Sequence, residues 1–211
     1  MHAVFLNQVH GNKVLSLDGA TPNGLQADAC VTTQHGLACT IMVADCLPVL
    51  LTSEDGRVIA AAHAGWRGLA GVDGLGVLES VFDSFLESFR ALAQLNTTDV
   101  AIKIIAWLGP CIGPSAFEVG DEVKVAFESG HPAAGQYFVP TSKGKYLADL
   151  AGLARLRLQS LGITRIYGND GHVDWCTESN PSRFFSHRRD AGAGGNGFQT
   201  TGRMAASIWL A

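Results

Sequence analysis

Apolar and polar positions follow two different periods along the chain, and the central stretch has the clearest pattern. Two short apolar runs, 46–51 and 58–62, flank a polar turn, Ser-Glu-Asp-Gly-Arg, at 53–57. Short apolar runs on either side of such a turn predict two buried antiparallel strands. If the turn is tight, Cys46 and His63 lie level at the same rim of the sheet.

Other apolar segments predict further strands around this hairpin. Residues 27–33 and 37–44 are rich in small and β-branched side chains, and the second segment is apolar throughout. We therefore expect 37–44 to be central in a sheet. A strand with a well-covered position is predicted at the C-terminus, over 203–211. The remaining predicted strands are 2–6, 13–17, 100–109, 163–168 and the beginning of 183–190.

The spacing of apolar residues changes to a helical period in three places. Intervals of three and four residues predict a long amphipathic helix over 76–95 and another over 146–162, with Asp149 in its first turn. A shorter helix is predicted over 117–129, opening near Gly120. Together, roughly eight or more strands and about three interspersed helices indicate a mixed α and β protein.

Composition excludes several classes of function. The chain has 211 residues, of which 47% are hydrophobic and 16% charged, and its net charge is −4. These values fit one compact globular domain and give no basic excess for binding nucleic acid. The sequence has no apolar run of the roughly 18 residues that a membrane span needs, and its N-terminus does not resemble a signal peptide. We expect no nucleic acid and no membrane partner.

The cysteines indicate a reducing compartment. There are five, an odd number, at irregular positions in a chain that is not small. A disulfide framework is therefore a poor interpretation, and free thiols are typical of intracellular proteins. We expect a cytoplasmic monomer.

Three residues distant in sequence carry the candidate chemistry. His10 precedes Gly11 near the N-terminus, and Cys46 and His63 flank the predicted hairpin. Two imidazoles and one thiolate, delivered from three strand ends, form a suitable zinc shell with a fourth position left for water or substrate. Two alternatives remain open: a Cys–His nucleophile pair, or a buried cysteine near inert histidines.

Seven stretches, in this order, carry a resemblance to a known family: QVHGNKV, ADACVT, VADCLPVLL, AAHAGWRG, AWLGPCIGPSAFEVGDEV, FFSHRRD and TGRMAASIWL. Together they resemble the bacterial proteins first called multicopper polyphenol oxidases or laccase-domain proteins and later described as purine nucleoside phosphorylases. The resemblance extends from about residue 7 to the C-terminus. It implies that His10, Cys46 and His63 are the metal ligands, and that Cys46 and His63 are also catalytic.

The resemblance also implies a fold and an activity. The implied fold is a single α+β domain, an α-β-β-α layered sandwich with mixed β-sheets. The implied activity is phosphorolysis of adenosine, inosine and 5′-methylthioadenosine, together with deamination of adenosine. Zinc would act as a Lewis acid and activate water for attack on an electron-poor carbon such as C6 of adenine. Members of the family carry a further N-terminal segment before the QVHG motif, and we expect that segment to be absent here.

Phosphorolysis needs a phosphate site, and arginine suits it through paired charge-assisted hydrogen bonds. Arg67, four residues after His63, and Arg188, in the FSHRRD motif, are the predicted substrate-binding residues. A general acid–base is also required. Asp45 and Asp190 are candidates, although Asp45 on a strand would face away from the neighbouring Cys46.

Two other functions remain as alternatives. The first is a copper-dependent polyphenol oxidase, since Cu²⁺ also accepts two histidines and a cysteine. The chain has seven His and three Met, and no His-x-His pair, which argues against a multicopper cluster. The second alternative is a non-enzymatic binding module stabilised by zinc, which would need its metal in order to fold.

Overall fold

The computed structural model describes residues 1–93, 104–192 and 201–211, and its largest element is a mixed six-stranded β-sheet. The predicted central hairpin forms its middle, and the two strands of that hairpin pair in antiparallel register. In spatial order the strands are β11 (Arg165–Gly168), β7 (Ile104–Leu108), β5 (Leu47–Ser53), β6 (Ile59–Ala64), β3 (Ala29–Thr32) and β2 (Val14–Ser16).

A three-stranded sheet is made of β1 (His2–Phe5), β4 (Leu37–Val43) and β12 (Met204–Trp209), in that order. The central position predicted for 37–44 is confirmed, because β4 pairs with a neighbour on each side. The well-covered position predicted for the C-terminal strand is wrong. Within the described residues β12 pairs with β4 alone, so its side chains are only partly buried and Trp209 is 50% exposed.

A small antiparallel sheet contains β8 (Glu118–Gly120), β10 (Lys145–Ala148) and β9 (Phe138–Ser142), in that order. It corrects two predicted helices, 117–129 and 146–162, because each of these segments begins as a strand. β9 had no counterpart among the predicted strands. Apolar side chains continue through each strand into the helix that follows it, so their spacing alone does not mark the change.

The helices begin later than these two patterns predict. Asp149 is not in the first turn of the second helix but caps it, since its carboxylate accepts a hydrogen bond from Gly152 N at 2.8 Å. The helices are α1 (Trp66–Ala70), α2 (Val77–Ala93), α3 (Asp121–Gly130), α4 (Leu150–Ser160) and α5 (His187–Gly192), with 3₁₀ turns at Pro132–Tyr137 and Val173–Trp175.

Two predicted segments extend past the described ranges, and one predicted strand is not a strand in the structure. The helix predicted over 76–95 is confirmed as α2 up to Ala93, and the strand predicted over 100–109 is confirmed over Ile104–Leu108; residues 94–103 lie outside the described part. The strand-like beginning predicted for 183–190 is wrong. Those residues form a turn that leads into α5.

The sheets and helices stack in layers with two apolar interiors. α2 packs on one face of the six-stranded sheet, where Leu78 and Phe85 are fully buried. The three-stranded sheet packs on the other face, with Cys39 and Ile41 of β4 buried between the two sheets. The predicted α+β class with layered mixed sheets is confirmed. Among the described residues, no helix is both long and apolar enough to cross a membrane.

Packing of α2 on the sheet gives a stability prediction. Phe85→Ala removes a fully buried ring and should lower the free energy of unfolding by about 3–5 kcal/mol. The exposed neighbour Glu87 on the same helix is the control, and Glu87→Ala should change stability by less than about 0.5 kcal/mol. Urea denaturation followed by circular dichroism measures both, and equal losses would contradict this layer assignment.

Candidate metal centre

The hairpin delivers Cys46 and His63 to one rim of the large sheet, but not level with each other. In the β5–β6 register His63 lies opposite Pro48, and Cys46 lies just before β5 begins. The expectation that they are level is therefore wrong, since the residue opposite His63 is Pro48, two residues after Cys46. They meet nonetheless, because Cys46 lies in the bend between β4 and β5 and not within a strand.

Three side chains converge at this rim. The ligand atoms of His10, Cys46 and His63 all lie within 4.8 Å of one another. Cys46 Sγ is 3.7 Å from His10 Nε2, and the two imidazole rings meet edge to face with centroids 4.8 Å apart. Tetrahedral zinc with nitrogen and sulfur ligands needs donor separations of about 3.5 Å. This donor set fits one such ion after small side-chain movements.

Asp28 connects the two histidines. Its carboxylate is fully buried and accepts backbone N–H groups from Val9 at 3.2 Å, His10 at 2.8 Å and Gly11 at 2.8 Å. The same carboxylate lies 2.8 Å from His63 Nδ1. With Nδ1 donating to Asp28, the lone pair of His63 Nε2 remains available for a metal.

The hydrogen bonds to Asp28 decide its charge. Burial alone would raise the pKa of this carboxyl group. The bonds from His63 and from the backbone amides of Gly11, Val9 and His10 outweigh burial and leave the pKa of Asp28 below its ordinary value. Asp28 is therefore a carboxylate at neutral pH.

Burial also sets the protonation of two candidate ligands. Desolvation, followed by the neighbouring His63, lowers the pKa of His10 from its usual value, so its imidazole is neutral at pH 7. Desolvation, with the nearby charge of Asp45, raises the pKa of Cys46 to about 12. The thiol is protonated until a cation displaces the proton, which makes metal affinity fall as the pH falls.

The backbone around the three donors is tightly constrained. His10 and Asp45 both have positive φ angles, 63° and 84°, which non-glycine residues rarely adopt. A Cβ atom at Gly65 would lie 2.8 Å from His10 Cδ2 and 3.0 Å from Cys46 Sγ. Only glycine therefore leaves room at position 65 for the three side chains to meet.

A cavity of about 280 Å³, here called the cleft, opens beside His10 and Cys46. Trp66, Phe117 and Leu150 contribute apolar walls. Its other lining residues are Ala44, Asp45, Ile112, His187, Arg188, Thr201 and Arg203. The lining of the cleft thus combines apolar and aromatic residues with cationic and hydroxyl-bearing ones, beside two of the three donors, His10 and Cys46.

Asp45 lines the cleft together with Cys46, so the expectation that it faces away is wrong. The reason is its position in a bend with positive φ and not on a strand. Its carboxylate accepts from Thr177 Oγ1 at 2.6 Å and from Arg188 N at 2.7 Å. The other candidate acid–base, Asp190, accepts from the Thr201 hydroxyl and pairs with Arg189.

The two predicted substrate arginines lie in different places. Arg188 lines the cleft, donates to Glu118 O at 3.2 Å and lies over the Phe117 ring. Arg67 lines a neighbouring groove that shares His10 and Trp66 with the cleft, and its guanidinium lies 4.4 Å from the centroid of the Trp66 ring. The structure therefore brings Arg188, and not Arg67, into the cleft with Cys46.

Sequence reasoning missed two charged residues at this site. Asp28 is the one charged residue in the strand predicted over 27–33, and a lone carboxylate there was a signal that it needs buried donors. Arg203 lines the cleft from the far end of the chain. In the sequence, Arg203 is marked only by its place in the TGRM motif. The glycine-rich stretch before it has no apolar period from which its position in the fold could be predicted.

The fold and the site together define an α+β protein that gathers two imidazoles and one thiol beside a cleft, in a group that can hold one metal ion. The family described as multi-copper polyphenol oxidoreductase laccase matches residues 1–211, and the chain belongs to this family. The resemblance seen in the seven sequence motifs is confirmed.

Curated relatives give this family a further description. The chain is 44% identical over 207 residues to purine nucleoside phosphorylase YfiH of Escherichia coli, an alignment that covers 98% of this chain and 73% of the relative. It is 42% identical over 207 residues to purine nucleoside phosphorylase PA4543 of Pseudomonas aeruginosa, again over 98% and 73% of the two chains.

Solved structures match the fold over its whole length. Protein NMB0706 of Neisseria meningitidis is 39% identical and superposes with a TM-score of 0.82, covering 100% of this chain and 75% of that chain. The hypothetical protein YfiH of Bacillus licheniformis is 26% identical with a TM-score of 0.80, covering 99% and 74%.

The contact between Asp28 and His63 gives a prediction about metal affinity. Asp28→Asn keeps the size of the side chain but loses its charge, and its amide N–H group would oppose the backbone donors. We expect zinc affinity to fall about 10–100-fold, the usual effect of removing a carboxylate behind a ligating histidine. Competition with a chromophoric chelator measures the change. Exposed Asp83 is the control, and an unaltered affinity in Asp28→Asn would contradict this role.

Proposed function

We propose that this chain is a zinc-dependent purine nucleoside phosphorylase that also deaminates adenosine. The observation that carries the proposal is the convergence of the His10, Cys46 and His63 donor atoms within 4.8 Å at the edge of a cleft. The names of the curated relatives support phosphorolysis as the reaction. Adenosine, inosine and 5′-methylthioadenosine are the proposed nucleosides, with inorganic phosphate as the second substrate.

The donor set favours zinc over a copper cluster. A neutral His10, a His63 oriented by Asp28 and a thiolate from Cys46 suit a four-coordinate ion with one open position. In the described part of the chain these three residues form the one grouping of His, Cys, Asp or Glu that is close enough to hold a metal. Multicopper chemistry needs several such groups. A bound zinc ion would supply Lewis acidity and an acidified water at this edge.

The lining of the cleft includes groups that suit different parts of a nucleoside and its co-substrate. Trp66 and Phe117 offer apolar area on which a purine base can lie. Arg188 presents a guanidinium to the same space, where it suits an anionic co-substrate. Asp45 holds the first turn of α5 through Arg188 N, and so positions this arginine relative to Cys46.

Phosphorolysis itself transfers one glycosyl group. A phosphate oxygen forms a bond to C1′ while the bond between C1′ and N9 of the base breaks. The bonding electron pair leaves with the base, which takes up a proton, and ribose 1-phosphate remains. Because positive charge develops on the sugar and negative charge on the base, fixed charges in the cleft can stabilise the transition state.

The ligand variants give the first functional prediction. Cys46→Ala and His63→Ala should each lose the metal and reduce nucleoside turnover by about 10³-fold or more, while circular dichroism shows a folded protein. Cys30→Ala and His35→Ala are matched controls: Cys30 is buried between the sheets, and His35 contacts Ala211 O at the surface. Both should retain metal and activity. Inosine phosphorolysis by metal-free Cys46→Ala would contradict the proposal.

Product analysis with adenosine separates the candidate reactions. Release of adenine or hypoxanthine that depends on added phosphate supports phosphorolysis. Inosine alone supports deamination without phosphorolysis. Phenol oxidation after copper loading, with no nucleoside turnover, would replace the proposal with the oxidase that the family description names. A zinc-stabilised binding module would show none of these activities and would unfold on chelation.

A further inference from the structure

Arg203 lies where two cavities meet beside the proposed metal ligands. The first is the cleft with Cys46. The second is a polar cavity of about 260 Å³ on the other side of His10, and it includes His63 in its wall. The residues common to both linings are His10 and Arg203. A group held by Arg203 would therefore be within reach of both cavities and next to the donor cluster.

The charge of Arg203 is not neutralised by the carboxylates nearby. Asp28 already accepts four N–H groups, and Asp45 is bonded to Thr177 and to Arg188 N. Within residues 1–93, 104–192 and 201–211, no ion pair or hydrogen bond involves the Arg203 guanidinium. The positive charge of Arg203 acts on two of the donors. It contributes to the lowered pKa of His10, and it partly offsets the effects that raise the pKa of Cys46.

The other arginines near the donors are already engaged. Arg67 stacks on Trp66 and lines the neighbouring groove. Arg188 donates to Glu118 O and lies over Phe117, which leaves part of its guanidinium facing the cleft. Arg203 therefore has the most donors to offer an incoming anion. Five N–H groups in a planar fork match two oxygens of a phosphate.

We propose that Arg203 is the principal residue that binds inorganic phosphate, at the junction of the cleft and the polar cavity. The inference rests on the proposed phosphorolysis and adds Arg203 to Arg188, the arginine already proposed to face the anionic co-substrate. Phosphate at this junction would lie beside His10, at the edge of the cleft that Arg188 also lines. Arg203 thereby positions the oxygen that forms the bond to C1′.

The test compares Arg203→Gln and Arg203→Lys with the wild-type protein, all fully loaded with zinc. Steady-state kinetics with inosine gives separate KM values for phosphate and for inosine. Isothermal titration with inorganic phosphate, with and without hypoxanthine, gives binding that does not depend on turnover. Exposed Arg90 on α2 provides the control, Arg90→Gln, which removes one positive charge far from the cleft. Circular dichroism and zinc content verify that each variant is folded and loaded.

Arg203→Gln should raise the phosphate KM and the phosphate dissociation constant about tenfold or more, as expected for loss of a charge-assisted bond, and leave the inosine KM within about twofold. Arg203→Lys should recover part of the loss, and Arg90→Gln should match the wild type. Unaltered phosphate binding in Arg203→Gln, or an equal rise in both KM values, would overturn the inference.

The titration also separates this inference from the proposed function. Phosphate binding that requires Arg203, in a protein that does not cleave nucleosides, would support the anion site and reject phosphorolysis. Phosphorolysis that is indifferent to Arg203 would support the proposed function and reject the anion site. A wild-type protein that does not bind phosphate under either titration condition would reject the anion site.

Discussion

The candidate site depends on the hydrogen bonds that the buried carboxylate of Asp28 accepts. One side chain holds the backbone of the His10 turn through three N–H groups and holds the His63 ring through a fourth. Those two histidines come from the turn after β1 and from the end of β6, and Asp28 also accepts from His63 N through its backbone carbonyl at 2.7 Å. A buried carboxylate is costly unless its oxygens are satisfied. Here they are, and the satisfied carboxylate fixes the backbone of the His10 turn and the orientation of the His63 ring.

The fold supplies the remaining constraints through its backbone. The β5–β6 hairpin brings the third donor, Cys46, to the same rim, and Asp45, which has a positive φ angle, lines the cleft beside it. Strained backbone conformations persist where surrounding contacts hold them, and they are concentrated at functional sites. At Gly65 the space that a side chain would fill is the space that the donors need. The packing of the backbone and the proposed metal site therefore both require glycine at position 65.

Much of this arrangement could be predicted from the sequence, and the failures have physical causes. The hairpin, α2 and the identity of the three donors follow from period and motif. The β-strand at 145–148 was not distinguished from the helix after it, because apolar side chains continue from the strand into α4, although its partner β9 ends only two residues before it. The edge position of β12 depends on which strands lie beside it. Asp45 was misplaced because one positive φ angle reverses the direction that strand alternation predicts, and Arg203 reaches the cleft only through tertiary folding.

Two imidazoles and one thiolate binding a single ion beside the cleft is the property on which the proposed chemistry rests. X-ray absorption at the zinc edge, on purified protein loaded with one equivalent of metal, tests it most directly. We expect two nitrogen ligands at about 2.0 Å and one sulfur ligand at about 2.3 Å, with a light-atom ligand completing four-coordination. A spectrum with no sulfur bound to zinc, or with two or more sulfur ligands, would contradict it.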